Sequence, residues 1–207
     1  VIVNREIDEI AAAEMDKVFL EVVMAPSFTP GAVKTLSSKK NRIILQRRSA
    51  GNGRESFRSM LGGVLWQERD SSTEQASGMR PVTARQPSEE EYLDMVFANK
   101  IVKHSRSNAI VLAKNRQLCA SGIGQTSRID ALRQAIQKAK AFGFSLEGAV
   151  MASDAYFPFA DSVTTAHEAG IAAVVQPGGS VRDQESIDYC NKTGVAMVFT
   201  GVRHFKH

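Results

Sequence analysis

Gln176-Pro-Gly-Gly-Ser180 places two glycines where an apolar run gives way to a polar, helix-patterned one. Glycine lets the backbone come close to a ligand, and a helix N-terminus offers free N–H groups to an anion. The same residues equally describe a tight left-handed turn with Ser180 as an N-cap. The Lys-Ser/Thr pair of a Walker loop and the third glycine of a dinucleotide fingerprint are absent. Gly122-Ile-Gly-Gln-Thr-Ser-Arg128 has similar character: Gln125 and Ser127 can form neutral hydrogen bonds, and the planar fork of Arg128 suits an anionic or carbonyl group. An Arg opening an exposed helix is the plain alternative, although a first-turn cation opposes the helix dipole. Tyr156-Phe-Pro-Phe159, between Asp154 and Asp161, is either a slot for a flat ring system or an apolar plug beneath a sheet. Arg203-His-Phe-Lys-His207 is either an exposed basic tail or a docked segment whose Arg203 meets a phosphate.

Positioning these loops requires strands ending beside them. From residue 148 the pattern is regular: strands over 148–152, 171–176 and 195–200, with helices over 161–169 and 181–193 between them. Alternating elements with continuous apolar strands predict parallel βαβαβ with crossover helices covering the sheet. Ligands then bind beyond the carboxyl ends of the strands. Upstream, Ser88 and Glu91 form a capping box that starts a helix running to about residue 100. Strands over 108–113 and 118–122 meet at Asn115 and Arg116, and a helix covers 126–141. The first part reads as helix 8–18, strand 20–25, a helix opened by Thr29 and Pro30, and strands over 42–46 and 61–67. Polar residues 70–87 read as a loop between two α/β lobes, 1–87 and 88–207.

The chain has 207 residues, with 26 Lys and Arg against 22 Asp and Glu. Most of the cationic excess falls in 34–58, which predicts a positive face able to meet nucleic acid, an anionic metabolite or a partner subunit. No nucleic-acid-binding signature accompanies it, so nucleic acid is not expected. No apolar run approaches bilayer length and no secretory signal precedes the first helix, so a membrane role is not expected and a cytoplasmic location is. Two cysteines, Cys119 and Cys190, exclude a disulfide scaffold, and no His pair has zinc-ligand spacing.

Together, Ser107-Asn-Ala-Ile-Val111, Gly124-Gln-Thr-Ser-Arg128, the run from Met151 to Phe159, Gln176-Pro-Gly-Gly-Ser-Val-Arg-Asp183 and Arg203-His-Phe-Lys-His207 resemble the carboxy-terminal part of a bifunctional purine biosynthesis family. Its members combine aminoimidazole-carboxamide ribonucleotide (AICAR) formyltransferase with inosine monophosphate cyclohydrolase. Glu21-Val-Val-Met-Ala-Pro26 and Arg85-Gln-Pro87 fit its earlier part. The resemblance implies a cytidine-deaminase-like layered α/β fold without zinc, helices on both faces of the sheet, and a homodimer with a shared active site. It implies formyl transfer from 10-formyltetrahydrofolate to the 5-amino group of AICAR. By motif, Asn108 orients the reacting groups, Arg128, Arg203, Phe205, His207 and Glu21 bind AICAR, and Tyr156, Pro158, Phe159, Asp161 and Ile129 form the folate slot. Ser105, Ser107 and Asp154 match positions that can hold a monovalent cation.

Ala120-Ser-Gly-Ile-Gly-Gln125 departs from the family's more glycine-rich loop, and Tyr156 stands where Phe is common. The family's Lys-His pair belongs upstream of Val1, as does its cyclohydrolase domain. A fragment of little turnover is therefore expected. The alternative is a non-catalytic α/β module that binds phosphate or a polyanion.

Overall fold

The computed structural model describes residues 1–49 and 53–206. The chain forms two compact units, 1–69 and 70–207, divided between Arg69 and Asp70. The sequence boundary at 87 differs from this division. Residues 70–87 belong with the second unit because Arg80–Pro81 pairs with its last strand and Asp70 and Glu74 bond His204.

In the first unit, α1 (Glu9–Asp16) starts at Asp8, whose carboxylate accepts from the Ala11 N–H. β1 (Val22–Ala25) leads to α2 (Pro30–Leu36), capped by Thr29 with proline in its first turn, and then to β2 (Ile43–Gln46). β1 and β2 pair in parallel, and Ile7, Ala12, Val23, Ala25, Ala32 and Leu36 form the core. Arg42 leaves the expected cationic face: its side chain is buried, bonds Asp16 at 2.8 Å and donates to the Leu36 carbonyl. Burying that guanidinium requires these partners. β3 (Glu55–Met60) and β4 (Gly63–Glu68) form an exposed antiparallel hairpin with Phe57 opposite Trp66.

The second unit is a six-stranded mixed sheet between helices. Its strands are β5 (Arg80–Pro81), β6 (Ile110–Lys114), β7 (Gln117–Gly122), β8 (Ala149–Ser153), β9 (Ile171–Gln176) and β10 (Ala196–Phe199), in spatial order β5-β10-β9-β8-β6-β7. β8, β9 and β10 run parallel, joined through α5 (Asp161–Glu168) and α6 (Asp183–Thr193) as the sequence pattern requires. β6 is antiparallel to both β7 and β8. Alternate strand residues face opposite layers. On one side Val111, Val150, Val175 and Val198 meet Met95, Ala98 and Val102 of α3 (Glu89–Lys103). On the other, Ile110, Leu112, Met151, Val174 and Met197 form a core with Ala131, Leu132 and Ala135 of α4 (Arg128–Ala141), together with Val163 and Ala166 of α5 and Cys190 of α6. Each such fully buried aliphatic side chain contributes about 1.5–3 kcal/mol. The Ser88–Glu91 capping box is formed in both directions, and the β6–β7 turn uses positive φ at Asn115 and Arg116.

Candidate functional site

The carboxyl ends of β8 and β10, the start of β6 and the N-terminus of α4 bring one polar cluster together. Ser127 caps α4 by accepting from the Asp130 N–H at 3.2 Å, which sets Arg128 as its first helical residue. The Arg128 guanidinium lies 3.5 Å from the carboxylate of Asp154, which follows β8 and is fully buried. That distance gives an ion pair without a hydrogen bond, so both Asp154 oxygens and Arg128 Nε and Nη2 are buried without a hydrogen-bonding partner. Such groups are costly to hide, and they mark a place built for another polar group. Burial lowers the Arg128 guanidinium from its ordinary value; Asp154 opposes this and nearby Arg203 adds to it.

The Phe205 ring lies beneath two guanidiniums, Arg203 at 4.0 Å and Arg128 at 5.9 Å from its centroid. The segment carrying it is docked, since the His204 N–H donates to the Asp154 carbonyl at 3.0 Å and the Lys206 N–H to Ser107 Oγ at 2.7 Å. Asn108 stands beside it, its Nδ2 donating to the carbonyls of Gln125 at 3.0 Å and Thr126 at 3.1 Å. Those bonds orient the amide and leave its oxygen outside them as an acceptor. Asn108, Arg128, Asp154, Arg203 and Phe205 are thus joined by short contacts or by bonds to the same two loops.

Tyr156-Phe-Pro-Phe159 answers both readings of it. Phe157 is fully buried in the core, while Tyr156 and Phe159 remain 38% and 49% exposed. Tyr156, Pro158 and Phe159 line a cleft of about 330 Å³ with Gly179, Ser180, Val181 and Arg182. Arg182 stacks over Phe159 at 4.8 Å, giving the cleft an aromatic wall with a cationic lip.

Ile129 packs against the core on α4, and Asp161 opens α5 on an exposed surface. Glu21 is exposed in the first unit, where its carbonyl accepts from the Ile43 N–H. His207 lies outside the described residues. The anion-cradle reading of the Gln176 loop needs correction. The Gly179 and Ser180 N–H groups already donate to the Asp183 carboxylate at 2.7 and 3.1 Å, and Ser180 is not the helix cap. Gln125 and Ser127 are likewise spent on Ile123 and Asp130. Sequence reasoning gave no role to Arg182 or His204. Arg182 could have been found from its position two residues beyond the glycine loop.

Residues 1–138 match the family model described as AICARFT/IMPCHase bienzyme. The chain is 57% identical to the bifunctional purine biosynthesis protein PurH of Bacteroides thetaiotaomicron, over 100% of this chain and 41% of that protein. It is 50% identical to PurH of Acetivibrio thermocellus and 48% identical to that of Aquifex aeolicus, each over 99% of this chain and 40% of the relative. The chain therefore spans about two fifths of these relatives. Among solved structures, a dCMP deaminase from cyanophage S-TIM5 overlaps 54% of the chain at TM-score 0.38 and 18% identity. A diaminohydroxyphosphoribosylaminopyrimidine deaminase/reductase from Thermotoga maritima overlaps 51% at TM-score 0.35 and 20% identity. Neither score is high enough to build on.

Proposed function

Since the chain belongs to the AICARFT/IMPCHase bienzyme family, we propose that it forms part of the formyltransferase, carrying a nucleotide subsite and an adjoining folate slot for de novo purine biosynthesis. The single observation that carries this reading is the buried Arg128–Asp154 pair, short of hydrogen bonds, set beside Arg203 and Phe205. Arg203 supplies positive charge for the 5′-phosphate of AICAR, and Arg128 holds the carboxamide through its unused N–H groups. The free oxygen of Asn108 accepts from the 5-amino group and fixes its lone pair toward the formyl carbon. That amine is a weak nucleophile, so orientation carries much of the rate enhancement. Tyr156, Pro158 and Phe159 stack the flat pterin of 10-formyltetrahydrofolate in their cleft.

The Asp154 carboxylate, which forms no hydrogen bond within its ion pair with Arg128, fits a monovalent cation together with Ser105 and Ser107; a bound ion would satisfy its oxygens. Proton removal from the attacking nitrogen falls to the family's Lys-His pair, which has no counterpart in these 207 residues, so these residues on their own bind without appreciable turnover. A homodimer, a cytoplasmic location and deaminase-like layering belong to the same reading, and the exposed Phe57 and Trp66 of the hairpin suit a subunit contact. No helix among the described residues is long and apolar enough to cross a membrane.

Calorimetric titration with AICAR and with a folate tests the reading. AICAR binding lost in Arg203→Ala and folate binding lost in Tyr156→Ala, each with the other ligand retained, support it. Failure of wild-type protein to bind either ligand, with steeply salt-dependent RNA binding in its place, sinks it in favour of a polyanion-binding module.

A further inference from the structure

His204 sits between Arg203 and Phe205, two of the residues assigned to the nucleotide, its side chain 1% exposed. Nδ1 lies 2.6 Å from Asp70 Oδ2, and Nε2 lies 2.8 Å from Glu74 Oε2. A neutral imidazole has one N–H and one lone pair, so one carboxylate would face a lone pair at hydrogen-bond distance. With two anionic acceptors, the geometry calls for hydrogens on both nitrogens and a positive ring. The surrounding charges agree. Lys103 Nζ lies 3.6 Å from Asp70 and also donates to the Ser72 carbonyl, while Asn99 donates to Glu74 at 2.7 Å. Two carboxylates thus meet two cations in a network that is buried at His204, Glu74 and Lys103 and opens to solvent at Asp70. Burial works to raise the Asp70 carboxyl, yet His204 and Lys103 hold it below its ordinary value. His104, at the end of α3, is pushed down by burial and by Lys103 and Lys206.

Residues 203–206 have no helix or strand of their own. They are held by three hydrogen bonds of their backbone, with Asp154 and Ser107, by the contact of Phe205 with Arg128, and by this one buried side chain. A segment without helix or strand of its own is loose unless side chains tie it down. We propose that the His204 imidazolium, clamped between Asp70 and Glu74, is the positioning residue that holds Arg203 and Phe205 against Arg128. The clamp stands on geometry alone; only the identity of what Arg203 then binds rests on the reading given above.

Hydrogen exchange on the full chain tests the clamp without any ligand. The His204 and Lys206 amides report on the segment, and the Met151 and Val174 amides report on the sheet. His204→Gln, and separately Glu74→Gln, should speed exchange at the first pair by about tenfold, the factor expected for losing a charge-assisted bond, and leave the second pair unchanged. His204→Arg, which restores a cation with two-sided donors, should recover part of that protection. Unchanged exchange at His204 and Lys206 in both neutral variants overturns the proposal, and so does an equal rise across the sheet, because that would make His204 a general core residue. A parallel AICAR titration separates the two claims. His204→Gln should weaken binding in proportion to segment opening, whereas Arg203→Ala should weaken it with the segment still protected. If wild-type protein binds no AICAR, the nucleotide assignment fails while the exchange result still decides the clamp.

Discussion

Replacing Gly122 by alanine tests how the strand under α4 positions Arg128. A Cβ built at Gly122 falls 1.8 Å from the Ala131 carbonyl oxygen, 2.6 Å from its carbon and 2.9 Å from its Cα, where ordinary contact begins near 3.4 Å. The obstacles are helix backbone, so no side chain can swing aside. β7 and α4 would have to separate by about 1.6 Å. α4 is fixed by buried Ala131, Leu132 and Ala135, by Lys138 donating to the Ser121 carbonyl at 3.0 Å, and by Gln134 accepting from the Ile123 N–H. Forcing a well-packed interface apart costs about 1–3 kcal/mol. With a urea slope near 2 kcal/mol per molar, the unfolding midpoint should fall by about 0.5–1.5 M. Arg128 is the first residue of the displaced helix, and a misplacement of about 1 Å can cost on the order of a hundredfold in a positioned reaction. AICAR affinity of the folded variant should therefore fall as well. A midpoint within about 0.2 M of wild type, with AICAR binding unchanged, would refute the claim that this close approach positions the site.

Arg128→Met should destabilise the fold by about 3–5 kcal/mol because it leaves Asp154 buried and uncompensated. The double variant Arg128→Met with Asp154→Leu should recover most of that loss in denaturant titrations while failing to bind AICAR. For Asp70, the folded carboxyl sits below its unfolded value near 3.9. Its contribution is therefore full above that value and is lost as pH falls through the lower one, so Asp70→Asn should flatten the acid limb of a stability–pH profile followed by circular dichroism. Burial pushes the Cys190 thiol up to about 12 and raises Cys119 too. Neither should react with a disulfide reagent at pH 8 until denaturant unfolds the second unit, and prompt labelling of the native chain would contradict this burial.

Elements with apolar period and explicit caps were legible in advance. β9 was read at its observed bounds, and the Ser88–Glu91 capping box, the Thr29 cap and the Asn115 turn formed as their chemistry demands. β3 was missed because its residues are mostly exposed and polar. The clue is Leu61-Gly62, which a strand over 61–67 absorbs but which the structure uses as a two-residue hairpin connection. β5 was hidden in what looked like a loop, since two residues of strand have no periodicity. Within the site, loops at strand ends could be anticipated from parallel topology, so Arg128, Asp154 and Arg203 were named. The Asp183 carboxylate in the glycine loop, the burial of Arg42 by Asp16 and the His204 clamp were not. The last two depend on side-chain partners brought by folding, 26 residues away for Arg42 and 130 or more for His204, and spacing along the chain carries no record of them, whereas Asp183 lies only four residues from Gly179 and was a local signal passed over.

The last strand of the second unit is an interior one. β10 is flanked by β9 and by β5, and its Met197 N–H is taken by the Thr83 hydroxyl from 114 residues earlier. During synthesis, then, the sheet must wait with the side of β9 uncovered and Arg80–Pro81 unpaired until residues 196–199 have left the ribosome. A product cut short before Ala196 would present a long apolar strand with free backbone groups to its neighbours, the arrangement most prone to edge-to-edge association. Residues 196–199 close that gap, and the segment that sets Phe205 against Arg128 follows directly on the strand that completes the sheet.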